Sequence, residues 1–235
     1  MRLDNYLVQN GFFESRNRAQ EAIKGGLITV DNKVINKPSF KVDLQTVEVK
    51  EDKFYVSRAA KKLESYLKEY QLPIKGARCL DIGSSTGGFT QILLENEALS
   101  VDCVDVGKNQ LHRSLREKRE VNVYEECDIR EFKNKPYDLI VSDVSFISLL
   151  LILDSINNLA KDGSSITLLF KPQFEVGINV KRNSKGVVQD TKAIQRARER
   201  FLAKTKELGW RVLDNRVSKI SAKEGNIEEF FTFTK

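Results

Sequence analysis

Four short apolar segments recur through residues 54–235, and each is followed by a helical or loop segment. They are typical of buried strands and lie at 77–81, 100–106, 137–143 and 165–171. Strands that alternate with helices are joined by right-handed crossovers, which build a mainly parallel sheet. Residues 211–217 and 229–234 predict a closing strand pair, and helices are expected at 147–160 and 191–208. The predicted fold class is therefore α/β.

A smaller α+β pattern precedes this unit. Two helices are expected within residues 1–24, and Ser15 is placed to cap the second of them, at 16–24. Strand-forming residues then flank a two-residue polar turn, which is typical of a hairpin. The strands and the turn are 27–30, Asp31-Asn32, 33–35 and a further strand at 46–49. Residues 50–53 predict a charged link to the larger unit.

Composition limits the classes of protein to consider. The 235 residues allow one large domain or an ordinary domain with a small one, and 40% hydrophobic with 31% charged residues indicates a globular chain. The longest nearly apolar run, 146–153, is far shorter than the ~20 residues that a membrane helix needs. The first residues lack the basic and apolar regions of a signal peptide. A cytoplasmic protein with no membrane partner is expected.

The net charge of +6 is compatible with a nucleic-acid partner, but many ordinary enzymes share such a value. The sequence offers few residues that could form a metal site. It contains a single histidine, His112, and three cysteines that lie in strand-like settings without a CxxC spacing. Cys79, Cys103 and Cys127 are expected to be buried, reduced thiols, and no metal is expected.

A glycine-rich turn, Asp-Ile-Gly-Ser-Ser-Thr-Gly-Gly-Phe-Thr at 81–90, directly follows one predicted strand and precedes a helix. Such a turn lets a ligand approach the backbone closely. It lacks the GxGxxG spacing of dinucleotide sites and the GK[ST] ending of phosphate-binding loops. Asp105 ends the next strand, where a carboxylate accepts hydrogen bonds from ribose hydroxyls. The turn and Asp105 together indicate an adenosine-containing ligand; the alternative is a tight turn beside an incidental acid.

Three charged residues lie where a core would not favour them. Asp143 and Lys171 each follow an apolar strand, at the edge of an open α/β sheet where ligands bind. Lys62 falls on the apolar stripe of a helix that opens at Ser57, so it either snorkels to solvent or serves a site. A second lysine and an acid beside one lysine can favour its neutral amine, which accepts a proton from a weakly acidic hydroxyl. Glu228, just before the last strand, supplies a second acid.

The same residues resemble a known family. The motifs are Ser57–Leu63, the turn at 81–90, Asp105-Val106-Gly107, Ser142–Leu149, Lys171–Glu175 and Gly225–Glu228. In this order they look like the TlyA, or haemolysin A-like, ribosomal RNA methyltransferases, and the resemblance covers nearly the whole chain. The first residues, from Arg2-Leu3-Asp4 to Leu27–Val30, similarly resemble the S4 RNA-binding module.

The resemblance implies a Rossmann-like class I methyltransferase domain at 54–235, with a mainly parallel seven-stranded sheet, and an S4-like domain with its linker at 1–53. It implies transfer of a methyl group from S-adenosylmethionine to the 2′-oxygen of a cytidine in ribosomal RNA. The family's catalytic residues correspond to Lys62, Asp143, Lys171 and Glu228. Its cofactor-binding residues correspond to Asp81, Gly83, Ser84, Ser85, Thr86, Gly87, Gly88, Phe89, Asp105, Asp128 and Asp143.

Asp128 is expected near the adenine, although the family more often has asparagine there and a neighbouring backbone amide serves equally well. The implied partner is the ribosome, with the large subunit (23S RNA) favoured over both subunits. An effect on susceptibility to peptide antibiotics such as capreomycin is implied as well.

Basic residues predict where RNA binds. Residues 181–200 carry a local charge of +5, and the polar loop 176–189 before them predicts a mobile flap over the substrate. The alternative is a solvated basic helix face. The expected RNA-binding residues are Arg2, Arg16, Arg18, Lys24, Arg58, Lys181, Arg182 and Lys185.

Three other functions fit the sequence less well. A membrane-active haemolysin has no amphipathic or spanning segment to support it. An RNA-binding protein with an inactive enzyme domain is disfavoured by the complete set of four catalytic residues. A methyltransferase for a base nitrogen would replace Asp143–Phe146 with an Asn-Pro-Pro-Tyr arrangement.

Overall fold

The computed structural model describes residues 1–49, 54–221 and 225–235. The predicted charged link at 50–53 lies outside them. The chain divides into two compact units, Met1–Phe54 and Tyr55–Lys235. Each unit has its own hydrophobic core, as described below.

The first unit is a helix pair followed by a three-stranded antiparallel sheet. Its elements are α1 (Leu3–Gln9), α2 (Arg16–Lys24), β1 (Ile28–Val30), β2 (Lys33–Val34) and β3 (Val47–Val49), with strand order β2-β1-β3. Ser15 caps α2 by accepting a hydrogen bond from the Arg18 amide at 3.4 Å. Asp31 and Asn32 adopt left-handed backbone angles, which a two-residue hairpin turn requires. The predicted helices and hairpin are confirmed.

One buried carboxylate joins the two helices of this unit. Asp4 is fully buried and accepts hydrogen bonds from Arg2 Nε at 3.0 Å, Arg16 Nη2 at 3.0 Å and Gln20 Nε2 at 2.8 Å. The Arg2 guanidinium, with Gln20 and Arg16, holds the pKa of this carboxyl well below its usual range. Around it, Leu3, Leu7, Ala19, Ile23 and Ile28 form an apolar core.

The second unit is built on one seven-stranded sheet. Its strands are β4 (Arg78–Ile82), β5 (Ser100–Val104), β6 (Val121–Tyr124), β7 (Tyr137–Ser142), β8 (Ala160–Phe170), β9 (Arg211–Val217) and β10 (Glu229–Thr234). The order is β6-β5-β4-β7-β8-β10-β9; the first five strands are mutually parallel, and β10 is antiparallel to both β8 and β9. The predicted α/β class with a mainly parallel seven-stranded sheet is confirmed.

The described residues of this unit form six α-helices: α3 (Arg58–Leu67), α4 (Gly88–Glu95), α5 (Arg113–Arg116), α6 (Leu153–Leu159), α7 (Pro172–Glu175) and α8 (Thr191–Glu207). Alternate residues of each strand face opposite sides of the sheet. Cys79 packs in the cluster formed with α3 and α4, whereas Leu80 packs in the cluster formed with α6 and α8. Both faces are therefore covered, and ligands can reach the sheet at its carboxyl edge.

The structure corrects several sequence-based boundaries. The strand expected at 165–171 begins at Ala160, so the helix expected at 147–160 is reduced to α6, preceded by a 3₁₀ turn at Leu149–Leu151. The short elements β6, α5 and α7 were not predicted, because four residues carry too little periodicity. Cys79 and Cys103 are buried as expected, but Cys127 is only partly buried. Within the described residues, no helix is long and apolar enough to cross a membrane.

Candidate active site

The turn after β4 forms one wall of the site. Gly83, Ser85 and Gly87 all have positive φ angles (74°, 47° and 90°), so the chain can reverse sharply between β4 and α4. A Cβ on Gly88 would clash with Ser57 Oγ and with Ala59 Cβ on α3, which makes glycine necessary for the close approach of these two helices.

A side chain on Gly87 would meet Leu111 and Leu115. Gly87 and Gly88, both predicted to bind cofactor, are not among the described residues that line the cavities below. Both glycines also allow the close packing that shapes the turn. Gly83, Ser84, Ser85, Thr86 and Phe89 do line these cavities.

The first cavity, of about 350 Å³, lies beyond the ends of β4, β5 and β7 and is largely apolar. Asp105 lies on its wall and accepts hydrogen bonds from the amides of Ser85 at 2.8 Å and Gly107 at 2.7 Å. Asp128 lies on the same wall with Ile129, and its carboxylate pairs with Arg130 at 2.5 Å. The hydrogen bonds from Arg130 lower the pKa of Asp128. The cavity has the size and lining expected for an adenosine group.

Asp81 faces the second cavity, of about 370 Å³. Its Oδ2 accepts hydrogen bonds from the Thr90 amide at 2.9 Å and from Thr90 Oγ1 at 2.6 Å. Its Oδ1 is buried and has no hydrogen-bond partner in the described part of the chain. Burial raises the pKa of Asp81 to about 7. An unpartnered carboxylate oxygen beside a ligand cavity suits a cationic group, so these residues fit the ammonium end of S-adenosylmethionine.

Four charged side chains, contributed by separate segments of the second unit, meet beside this cavity. Lys62 comes from α3, Asp143 follows β7, Lys171 follows β8, and Glu228 precedes β10. Lys62 Nζ lies 2.7 Å from Glu228 Oε2 and 3.7 Å from Asp143 Oδ2, and Lys171 Nζ lies 2.7 Å from Asp143 Oδ1. Lys62, Lys171 and Glu228 are only 9%, 6% and 3% exposed. We call these four residues the charged cluster; with all members ionised its net charge is zero.

Two further side chains contact the cluster. Ser145 Oγ accepts a hydrogen bond from Lys171 Nζ at 2.9 Å, and Gln173 Nε2 donates to Glu228 Oε1 at 3.4 Å. Sequence reasoning missed both roles. Ser145 lies within the Ser142–Leu149 motif and Gln173 within Lys171–Glu175. Each is two residues from a predicted catalytic residue, and this closeness in sequence could have indicated a role in the site.

A third, wider cavity of about 840 Å³ opens from the cluster and shares Lys62, Asp143 and Lys171 with the second. Phe146 lies at its wall with 92% of its surface exposed, a φ of 66° and its ring centroid 5.2 Å from that of Phe174. The three cavities therefore form a continuous cleft with the charged cluster at its centre.

The predicted RNA-binding residues of the second unit differ in how they are held. Arg58 lines the third cavity and donates to the Ser221 carbonyl, while Lys181 and Lys185 are exposed. Arg182 donates to four backbone carbonyls, those of Gln173, Gly177, Ile178 and Val180. The guanidinium of Arg182 thus organises the loop that carries it.

Part of the predicted basic surface is used inside the unit. Arg198 pairs with Glu229, and Arg200 donates to the Glu175 carbonyl. The loop expected to be a mobile flap contains buried Val188, whose amide donates to Asn226 Oδ1 at 3.1 Å. It is therefore tethered to the segment just before Glu228.

In the first unit, Arg2 and Arg16 bind Asp4 as described, yet their side chains remain 45% and 54% exposed. The Arg18 guanidinium lies 5.0 Å from the centre of the Phe54 ring, and Lys24 is exposed at the end of α2. All four can present positive charge to solvent.

The chain is similar in sequence to known proteins. The FtsJ-like methyltransferase family matches residues 55–235, and the S4 domain matches residues 1–47. A Campylobacter jejuni protein named 23S rRNA (cytidine-2′-O)-methyltransferase TlyA is 44% identical over 100% of both chains. A Mycobacterium tuberculosis protein named 16S/23S rRNA (cytidine-2′-O)-methyltransferase TlyA is 37% identical over 97% of this chain and 88% of its own.

The fold is also similar to that of a protein whose structure has been solved. A Streptococcus thermophilus protein named as a hemolysin superposes with a TM-score of 0.74 at 34% identity, covering 100% of this chain and 88% of that one. This structural match and the two sequence matches all extend across both units of the chain. The chain therefore belongs to the TlyA family of FtsJ-like methyltransferases that carry an S4 domain.

Proposed function

We propose that this protein is an S-adenosylmethionine-dependent methyltransferase that modifies the ribose 2′-oxygen of a cytidine in ribosomal RNA. The observation that carries the proposal is the charged cluster, in which two buried lysines, the buried Glu228 and the partly buried Asp143 meet where the cofactor cleft joins the wider cavity. A ribose hydroxyl is a weak acid, and its oxygen attacks well only when a nearby base removes the proton.

Within the cluster, we assign the role of proton acceptor to Lys171. Asp143 lies against its amine and fixes its position, while Lys62 and Glu228 form the adjoining pair. When bound, S-adenosylmethionine supplies the methyl group as an electrophile on its sulfonium. Because the reaction is a displacement between two positioned groups, much of the rate enhancement is expected from orientation.

The cofactor would be held at two ends of the cleft. Asp81 Oδ1 offers an unpartnered acceptor to the ammonium group, and Asp105 offers carboxylate oxygens to the ribose hydroxyls. Cys127, Asp128 and Ile129 line the first cavity and are the proposed neighbours of the adenine. Since the Asp128 carboxylate is already paired with Arg130, we favour a backbone group of this segment as the adenine contact.

The RNA assignment rests on the S4 domain and on the substrates named for the relatives. Relatives from Campylobacter jejuni and Mycobacterium tuberculosis both carry 23S in their names, and only the second carries 16S. We therefore propose 23S RNA of the large subunit, met in the cytoplasm, as the target. Loss of such a modification would change susceptibility to ribosome-targeting peptide antibiotics such as capreomycin, which growth assays of a deletion strain would measure.

Lys171→Ala tests the catalytic assignment. The variant should lose methylation by about 100-fold or more, because the proton acceptor is gone, while calorimetry finds cofactor affinity within about threefold of the wild type. Lys206→Ala, an exposed lysine of α8, is the matched control. Mass spectrometry of ribosomal RNA reads out the 2′-O-methylcytidine. Wild-type turnover by Lys171→Ala would exclude the proposal.

A further inference from the structure

The Lys171 nitrogen contacts two uncharged oxygens in addition to the charged residues of the cluster. Nζ donates to the backbone carbonyl of Asp143 at 3.1 Å and to Ser145 Oγ at 2.9 Å. Its third neighbour, Asp143 Oδ1, lies at 2.7 Å but without the alignment of a hydrogen bond. Two uncharged oxygens therefore take two of the directions around this nitrogen.

A neutral amine has two N–H groups and one lone pair. A backbone carbonyl can only accept hydrogen bonds, so one N–H must point at Asp143 O. Ser145 Oγ takes the other N–H. With both hydrogens directed at these oxygens, the lone pair takes the remaining tetrahedral direction.

Ser145 is well placed for this task. It lines all three cavities of the cleft, so its hydroxyl lies where the cofactor side and the wider side meet. The Asp143 carbonyl is part of the backbone and is fixed by the fold. Ser145 is thus the side chain whose removal would free the amine to rotate about its Cε–Nζ bond.

We propose that Ser145 is a positioning residue that orients the lone pair of Lys171 toward the substrate 2′-hydroxyl. The inference rests on the proposed function and extends it to a residue outside the charged cluster. In the reaction, the O–H proton passes to the Lys171 lone pair, the 2′-oxygen forms its bond to the methyl carbon, and the methyl–sulfur bond breaks with its electron pair remaining on sulfur.

Other charged groups that face Lys171 would remain in a Ser145 variant. They are Asp143 after β7, Lys62 and Arg58 on α3, Glu228 before β10, Asp81 in the second cavity, and Arg182 and Lys185 in the third. A change in the pH dependence after substitution of Ser145 therefore reports the lost acceptor alone. An acceptor stabilises an ammonium more than an amine, so its loss moves the rising limb of the pH–rate profile to lower pH.

The test compares Ser145→Ala with Ser145→Thr, which keeps the hydroxyl, in single-turnover assays at saturating cofactor and RNA. Ser145→Ala should lower the plateau rate by about 10- to 100-fold, shift the rising limb to lower pH and leave cofactor affinity unchanged. Ser145→Thr should recover most of the rate and the wild-type limb. Ser155→Ala on α6 serves as the control.

Three results would overturn the inference: a plateau for Ser145→Ala within twofold of wild type, a lowered plateau with an unmoved limb, or a folded Ser145→Thr no faster than Ser145→Ala. Lys171→Ala separates this failure from that of the proposed function. An inactive Lys171→Ala with a normal Ser145→Ala rejects only the role of Ser145, whereas an active Lys171→Ala rejects the catalytic assignment itself.

Discussion

At the scale of single residues, the buried charges of the cleft are paired with one exception. Lys62 pairs with Glu228 and Lys171 pairs with Asp143, whereas Asp81 is buried with Oδ1 unpartnered in the described structure. Burial of a carboxylate without a cationic partner favours its protonated form. This is why the pKa of Asp81 rises to about 7.

Cofactor binding should therefore release a proton at slightly acid pH. Below pH 7 the free protein holds Asp81 protonated, and a cationic ammonium group at Oδ1 would favour the ionised form. Cofactor affinity should then rise as the pH increases toward 7 and level off above it. Calorimetry in two buffers of different ionisation enthalpy measures the released proton.

Asp81→Asn is the control for that measurement. It keeps the size of the side chain but cannot ionise, so binding should weaken and lose its proton release. An unchanged proton count in Asp81→Asn would show that another group is responsible.

At the scale of elements, the loop between α7 and α8 is organised by its own arginine. Arg182 donates to four carbonyls of Gln173–Val180, and the neighbouring Lys185 is exposed. Two residues with the same predicted function are thus held in different ways.

Arg182→Gln and Lys185→Ala should have distinguishable effects. Arg182→Gln should increase amide hydrogen exchange across residues 177–189 and leave the salt dependence of RNA affinity unchanged. Lys185→Ala should leave exchange unchanged and reduce the slope of log affinity against log salt by about 0.7–0.9, the value for one lost phosphate contact. A reduced slope for Arg182→Gln would identify Arg182 as a phosphate contact.

The same contrast shows what could be predicted from the sequence. Long periodic elements such as α8, and residues at strand ends such as Asp143 and Lys171, follow from local pattern and from the geometry of parallel sheets. The carbonyls that Arg182 binds and the contact of Ser145 with Lys171 depend on how separate segments meet. A single sequence does not contain that information in any local form.

At the scale of the whole molecule, each unit has a core of its own. The core of Met1–Phe54 is small and includes the buried Asp4 with its three side-chain donors. The core of Tyr55–Lys235 covers both faces of the large sheet. Damage to the first core should therefore leave the cofactor site intact.

Asp4→Ala tests this independence. Loss of the buried acceptor should destabilise the first unit by about 1–3 kcal/mol and weaken RNA binding, while cofactor affinity stays at the wild-type value. Calorimetric unfolding and cofactor titration of the full chain provide the two measurements. A matching loss of cofactor affinity would show that the units are coupled.

The position of β10 has a consequence for how the protein is made. This strand lies between β8 and β9, and Glu228 immediately precedes it. Glu228 is synthesised 57 residues after Lys171, which at cellular rates takes about 3–11 s. During that time the edge of β8 that later binds β10 is unpaired, and Lys62 lacks the nearer of its two acidic partners. Under the proposed function, a nascent chain therefore cannot methylate the ribosome that is translating it until the strand after Glu228 has been added.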